Sequence, residues 1–354
     1  MSQKRTIDAF FGPPPKRSRS EVAKGISTEE PNEIVLKSQH SKYPFPIAEL
    51  PASISKDLSS LPARPPRAIN NEPDLDLLYF EPYVPDYLAR QLFQFLRAEL
   101  PYYKVEYQIR RGGIATQIRT PRQVLVYPPQ RSRPKTVRQL MRRINRYTTV
   151  FGLDETSRFD KDGLVVDANT GVKVSSDRRY DKYPPRPIPK CLDDLRQSTE
   201  AATGCKFNFC LVNYYSSGAD SISFHSDDER FLGPDPAIAS FSLGARRDFL
   251  MKHKPVAPEQ GGKPASKSPT LKFPLNSGDM ILMRGRTQSN WLHSIPKRTG
   301  KNQEDGGRIN ITFRRAMVKG GTENYYNYNV GSGPVYRWDK ASGAMMPWKP
   351  SSKD

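Results

Sequence analysis

After Gly204 the chain breaks into eight short runs, KFNFCLVNYY, DSISFHSD, AIASFSLG, RDFLMKHK, LKFPL, GDMILMRG, WLHSIP and RINITFRR, separated by turn residues. Runs this short, rich in β-branched and aromatic residues, predict strands. Many short strands at such spacing fold as a sandwich, barrel or jelly roll. In the last run, Ile309, Ile311 and Phe313 fall on one face, and Arg308, Asn310, Thr312 and Arg314 on the other. No internal repeat accompanies the pattern.

A chain of 354 residues with 33 prolines, 23 glycines and 36% hydrophobic residues cannot spread a core evenly, so the core is expected in the second half. Residues 1–70, rich in Pro, Ser, Lys and Glu, read as a disordered tail, and 71–203 as an N-terminal extension. Residues 204–318 form the strand-rich core and 319–354 a Tyr-rich C-terminal tail. Within the extension, Asp86 can cap a helix with Leu88, Leu92, Phe95, Leu96 and Leu100 on one face, ending before Pro101. A second helix is predicted over Lys190 to Thr203, stopped by Gly204. Polar residues 130–178 read as an insertion or mobile lid. The predicted architecture is mainly β with flanking helices.

The formal charge is +19, which favours a polyanionic partner, either nucleic acid or an anionic membrane. Lys104 to Arg146 holds twelve Lys or Arg against one acid, Glu106, with Tyr107, Tyr127 and Tyr147 interleaved. That imbalance costs self-repulsion, which a groove for a phosphate backbone would explain. With no apolar run of about 18 residues and no signal-peptide core, the chain is expected to be soluble and intracellular. Cys191, Cys205 and Cys210 form no CxxC pair and read as small core residues.

Two of the four histidines, His225 and His293, lie at the ends of predicted strands, and Asp227 follows His225 at i+2 on the same strand face. A His-x-Asp pair with one distant His is the set that holds iron(II) on three sites and leaves three open. On their own, a chance HxD and a core histidine would look the same. Arg308 and Arg314 on one strand face suit a dicarboxylate, because planar guanidinium pairs bidentately with carboxylate, although a solvent-exposed face would also be polar. Asn213 and Tyr215 offer hydrogen bonds from one face of an earlier strand.

NYYSSGADSISFHSDDE, then WLHSIP, then RINITFR, in this order, resemble the AlkB family of iron(II)- and 2-oxoglutarate-dependent dioxygenases, particularly its eukaryotic DNA-repair branch. The resemblance runs from about Phe207 to Arg315, with weaker similarity back to Thr120. It implies a double-stranded β-helix (jelly roll), with His225, Asp227 and His293 as iron ligands. It further implies Asn213, Tyr215, Arg308, Asn310, Thr312 and Arg314 around 2-oxoglutarate, and a nucleotide-recognition region and lid within 71–203. The implied activity is oxidative removal of N-alkyl groups, of the 1-methyladenine and 3-methylcytosine type, from DNA. Asp228 and Glu229 could balance Arg230, but the resemblance places Glu229 against the flipped base. Arg122, Tyr127 and Tyr183 are further candidate substrate contacts, with Tyr180 another possible stacking aromatic. Ile114, in RRGGIATQIR, is the one obvious wedge for a duplex. The same chemistry on RNA or on a protein side chain, or a catalytically inert nucleic-acid module, stays open.

Near the N-terminus, Ile7, Phe10 and Phe11 in KRTIDAFF resemble the motif by which replication and repair proteins bind the sliding clamp, with Lys4 where Gln is usual. The adjoining PPPKRSR is a candidate nuclear import signal.

Overall fold

The computed structural model describes residues 35–104, 106–111, 114–119, 146–174, 184–255, 269–298, 306–322, 325–326 and 333–350; for 106–111 and 114–119 the strands alone are described. The first half contains β1 (Lys37–Ser38), β2 (Ile47–Ala48), α1 (Ala52–Leu58), β3 (Arg67–Ile69), β4 (Leu77–Phe80) and α2 (Asp86–Glu99). It continues with β5 (Tyr102–Lys104), β6 (Glu106–Arg111), β7 (Ile114–Arg119), β8 (Arg146–Gly152), β9 (Ser157–Phe159), β10 (Val165–Asp167) and α3 (Lys190–Thr203). There follow β11 (Phe209–Tyr215), β12 (Ile222–His225), β13 (Ile238–Gly244), β14 (Arg247–His253), β15 (Leu271–Leu275), β16 (Met280–Met283), α4 (Thr287–Asn290) and β17 (Trp291–Ile295). Last come β18 (Arg308–Arg314), β19 (Val335–Asp339) and β20 (Ala344–Pro347).

Two antiparallel sheets form the body, a ten-stranded sheet ordered β20-β19-β5-β8-β11-β18-β13-β16-β4-β3 and a four-stranded sheet ordered β12-β17-β14-β15. This is the predicted jelly-roll type of β architecture, and every expected strand after Gly204 is present.

Register explains how one sheet serves two cores. β18 lies between β11 and β13, with Tyr215 opposite Arg308, Asn213 opposite Asn310 and Ser242 opposite Asn310 on the other side. Residues directly opposite share a face. Ile309, Ile311 and Phe313 therefore join Cys210, Val212, Phe241 and Leu243 on the face covered by Leu88, Leu92 and Leu96 of α2 and Leu192 and Leu195 of α3. The opposite face contributes Phe209, Leu211, Ile281 and Met283 to a second core, closed by Phe249, Met251, Phe273 and Trp291 of the smaller sheet. Burying these side chains is worth about 1.5–3 kcal/mol each before entropy is counted. The polar residues of β18 lie on this second face, between the sheets.

Glycine matters at two joints. Gly204 ends α3 in the left-handed region at φ 70°, its N–H bonded to the Glu200 carbonyl at 2.9 Å. Gly278, at φ 92°, accepts from the N–H groups of Tyr83 and Val84 at 2.9 and 3.0 Å, and a Cβ there would lie 2.0 Å from the Val84 carbonyl oxygen.

Several expectations are corrected. Residues 35–70 are not tail: they carry β1, β2, α1 and β3, and Ile47, Leu50, Ile54 and Leu58 pack into the helix-side core. The insertion expected over 130–178 contains β8, buried along its whole length and paired with β11. Pro85 caps α2, and Asp86 sits in its first turn. The Tyr-rich tail contributes β19 and β20, which extend the large sheet through β5. Cys191 and Cys210 are buried and Cys205 is half-buried, all without a disulfide.

Candidate active site

His225 ends β12 and His293 lies in β17, and the two are direct partners across that antiparallel pair. Their ring centroids are 4.2 Å apart. Asp227 follows in the turn after β12, with Oδ1 3.8 Å from His225 Nε2. One ligand atom from each of His225, Asp227 and His293 lies within 4.8 Å of the others, the only such group of His, Cys, Asp or Glu among the described residues.

The supporting contacts suit a divalent ion. His225 Nδ1 lies 2.8 Å from the Ser223 carbonyl, so the tautomer that donates there leaves the Nε2 lone pair free. The Asp227 N–H donates to Gln288 Oε1 at 3.0 Å, tying the ligand turn to α4, which leads directly into β17. Asp227 Oδ2 accepts from Arg314 Nη2 at 2.5 Å. Burial opposes ionisation of Asp227, but Arg314, with His293 and His225 beside it, holds its carboxyl below the usual carboxylate range. Burial, aided by the His225 charge, pushes His293 down to about 3, so its imidazole is neutral and able to ligate.

The strand that carries Arg314 holds a second buried arginine. Arg308 is 1% exposed, its Nη2 donates to Ser242 Oγ at 2.8 Å, and its Nε and Nη1 have no hydrogen-bond partner. Burial pulls this guanidinium down to about 10. The Tyr215 ring lies 5.4 Å from it. A buried arginine with two idle donors fits a ligand carboxylate. Arg314 differs: its Nη1 donates to Thr312 Oγ1 at 2.8 Å and its Nη2 to Asp227, so its fork serves the metal side. Thr312 Oγ1 donates to the Leu211 carbonyl, and Asn310 Nδ2 to Ser240 Oγ and the Phe241 carbonyl. Asn213 and Tyr215 stand on the same sheet face, opposite Asn310 and Arg308.

Two residues beyond Asp227, Glu229 Oε1 accepts from Tyr325 Oη while its Oε2 is buried without a partner. Burial, and after it the Asp227 charge, raises the Glu229 carboxyl. Asp228 turns elsewhere, paired with Lys254 Nζ at 2.7 Å. The reading of the sequence missed Gln288 and Tyr325; only the Tyr-rich composition after β18 hinted at the latter. Arg122, Tyr127, Tyr180, Tyr183, Ile7, Phe10 and Phe11 lie outside the described residues. Ile114 opens β7, paired with Arg111 of β6 across a two-residue gap.

The model of the 2OG-Fe(II) oxygenase superfamily matches residues 76–314. The chain is 37% identical over 134 residues to the "DNA oxidative demethylase ALKBH2" of Homo sapiens, covering 38% of this chain and 49% of that protein. The Arabidopsis thaliana protein of the same name is 34% identical over 44% of this chain and 50% of its own length. The human "Alpha-ketoglutarate-dependent dioxygenase alkB homolog 3" is 42% identical over 35% and 41%. The chain thus spans about half the length, or less, of these relatives.

Proposed function

The chain belongs to the 2OG-Fe(II) oxygenase superfamily, in its AlkB-type group, and on that premise we propose that it removes N-alkyl groups from DNA bases by oxidation. Iron(II), once bound with 2-oxoglutarate and dioxygen, supplies oxidation of a C–H bond beside nitrogen, yielding succinate, CO2 and a hydroxymethylated base that sheds formaldehyde. His225, Asp227 and His293 hold the metal, with Arg314 keeping Asp227 ionised and oriented. Arg308 would pair with a carboxylate of 2-oxoglutarate, and Asn213, Tyr215, Asn310 and Thr312, on the same sheet face, would offer it hydrogen bonds.

The observation that carries the substrate reading is Glu229, a buried carboxylate two residues beyond Asp227 with one oxygen unsatisfied. Such a group favours a ring that is cationic and presents an exocyclic N–H, as 1-methyladenine and 3-methylcytosine do. The formal charge of +19 supports a polyanionic partner. The base must leave its stack to reach a site enclosed between two sheets, and Arg122, Tyr127, Tyr183 and Asp228 are its proposed contacts. Work on DNA implies the nucleus, and Ile7, Phe10 and Phe11 would tether the chain to the sliding clamp.

The test is release of formaldehyde and succinate from single- and double-stranded oligonucleotides carrying 1-methyladenine or 3-methylcytosine. Equimolar release from DNA supports the proposal; release only from methylated RNA or a peptide overturns it. For the tether, the wild-type N-terminal peptide should bind purified clamp and its Phe10→Ala, Phe11→Ala double variant should not; equal binding removes that link.

A further inference from the structure

We propose that Tyr325, from the segment after β18, is a positioning residue for substrate choice: its hydroxyl fixes one oxygen of Glu229 so that the other is left to read the alkylated base. The proposal rests on the substrate reading of Glu229 given above.

Tyr325 Oη donates to Glu229 Oε1, and Glu229 Oε2 is buried with no partner. The carboxylate is therefore held by one oxygen and open at the other. The tyrosine is itself held. Its ring packs against Phe209 and Phe231 at centroid distances of 5.3 and 5.7 Å, and the Arg314 guanidinium lies 5.6 Å from its centre. Phe231 belongs to the 3-10 turn Arg230–Leu232 directly after Glu229, so ring and carboxylate are braced by the same turn. The Leu232 N–H bonded to the Glu229 carbonyl at 3.0 Å fixes the backbone there.

A glutamate side chain has several rotatable bonds, and the nearest cation decides where an unheld one goes. Arg314 is the cation whose charge acts on both Glu229 and Asp227. Without the Tyr325 hydroxyl, Glu229 would be drawn toward Arg314 in competition with Asp227. Tyr325 thus keeps two neighbouring carboxylates in separate roles, one for the metal and one for the base. Because the orienting group follows β18 in the chain, the choice of base is set partly by the C-terminal segment.

The test is Tyr325→Phe, which keeps the ring and removes the donor, with kinetics on oligonucleotides carrying 1-methyladenine or the neutral 1,N6-ethenoadenine. The ratio of the two kcat/KM values is read within each protein, so any loss of folded material cancels. Losing one hydrogen bond to a charged group should raise KM for 1-methyladenine about tenfold. The value for ethenoadenine should stay within about twofold. In a Glu229→Ala background, adding Tyr325→Phe should leave the ratio unchanged. An unmoved ratio in the single variant, or a further drop in the double variant, overturns the role of Tyr325. If the wild type releases formaldehyde from no alkylated DNA, the proposed function fails and this proposal with it; activity with an unmoved ratio removes Tyr325 alone.

Discussion

The two faces of β18 are both largely buried and chemically opposite. Along β18, Ile309, Ile311 and Phe313 are fully buried under the helices, while Arg308 and Arg314, one residue out of phase, are 1% and 2% exposed between the sheets. Burial is the same; what differs is the neighbours. One face meets apolar side chains, the other meets Ser242, Thr312 and the Asp227 carboxylate. A single strand can thus give stability through one parity and chemistry through the other, at the cost of desolvating two guanidinium groups.

The sharpest way to break the comparison is at the metal ligands. His225→Ala should abolish iron retention and turnover while circular dichroism stays native, because His225 is partly exposed and belongs to no apolar cluster. Asp227→Ala should abolish both as well, but with a loss of stability, since it strips the buried Arg314 of its carboxylate. Full iron-dependent turnover in either variant sinks the ligand assignment.

Next comes the helix-covered face. Phe313→Ala should cost about 3–5 kcal/mol in denaturant unfolding, the range for buried aromatic truncations. Iron and 2-oxoglutarate affinity per folded molecule should be unchanged, and a selective loss of co-substrate binding would deny that the faces divide their labour.

On the inner face the smaller change is Arg308→Lys. A point charge cannot reproduce the fork, so calorimetric affinity for 2-oxoglutarate should fall about tenfold or more, with little change in stability. Equal affinity would remove Arg308 from the co-substrate site.

A further effect is one of pH. Unfolded chain protonates His293 near its ordinary value of 6.5, whereas the native imidazole resists until about 3. Between these values the unfolded state binds the extra proton, so metal-free protein should lose stability as pH falls through the window. His293→Gln should flatten that slope in denaturant titrations at pH 7 and pH 5; an unchanged slope contradicts the buried neutral imidazole.

The strands after Gly204 were legible because alternation forces side chains onto two faces, and β18 announced its two roles outright. β8 was hidden because Arg146, Thr148 and Thr149 look like surface, yet Thr149 Oγ1 accepts from Arg186 Nη2 at 3.2 Å, in the core. Residues 35–70 escaped notice because Ile47, Leu50, Ile54 and Leu58, although three or four residues apart, are interrupted by Pro51 and set in polar sequence. Only Ile54 and Leu58 lie in a helix, while Ile47 reaches the helix-side core from β2 and Leu50 from the link to α1. His225, Asp227 and His293 could be read from spacing and order. Gln288 and Tyr325 could not, since each matters only through a contact far away in sequence: the Asp227 N–H for one, Glu229 for the other.

The place of β18 in chain order bears on how the molecule comes into being. It is paired on both sides, by β11 and β13, yet it begins at residue 308 of 354. A nascent chain that lacks it has two unpaired edges facing a gap at the middle of its main sheet, the kind of edge that recruits other chains. Closing the gap is a late event between distant segments, which makes it slow. The strand that closes it also carries Arg308 and Arg314, so completion of the sheet and arrival of these two buried arginines at the inner face are one event.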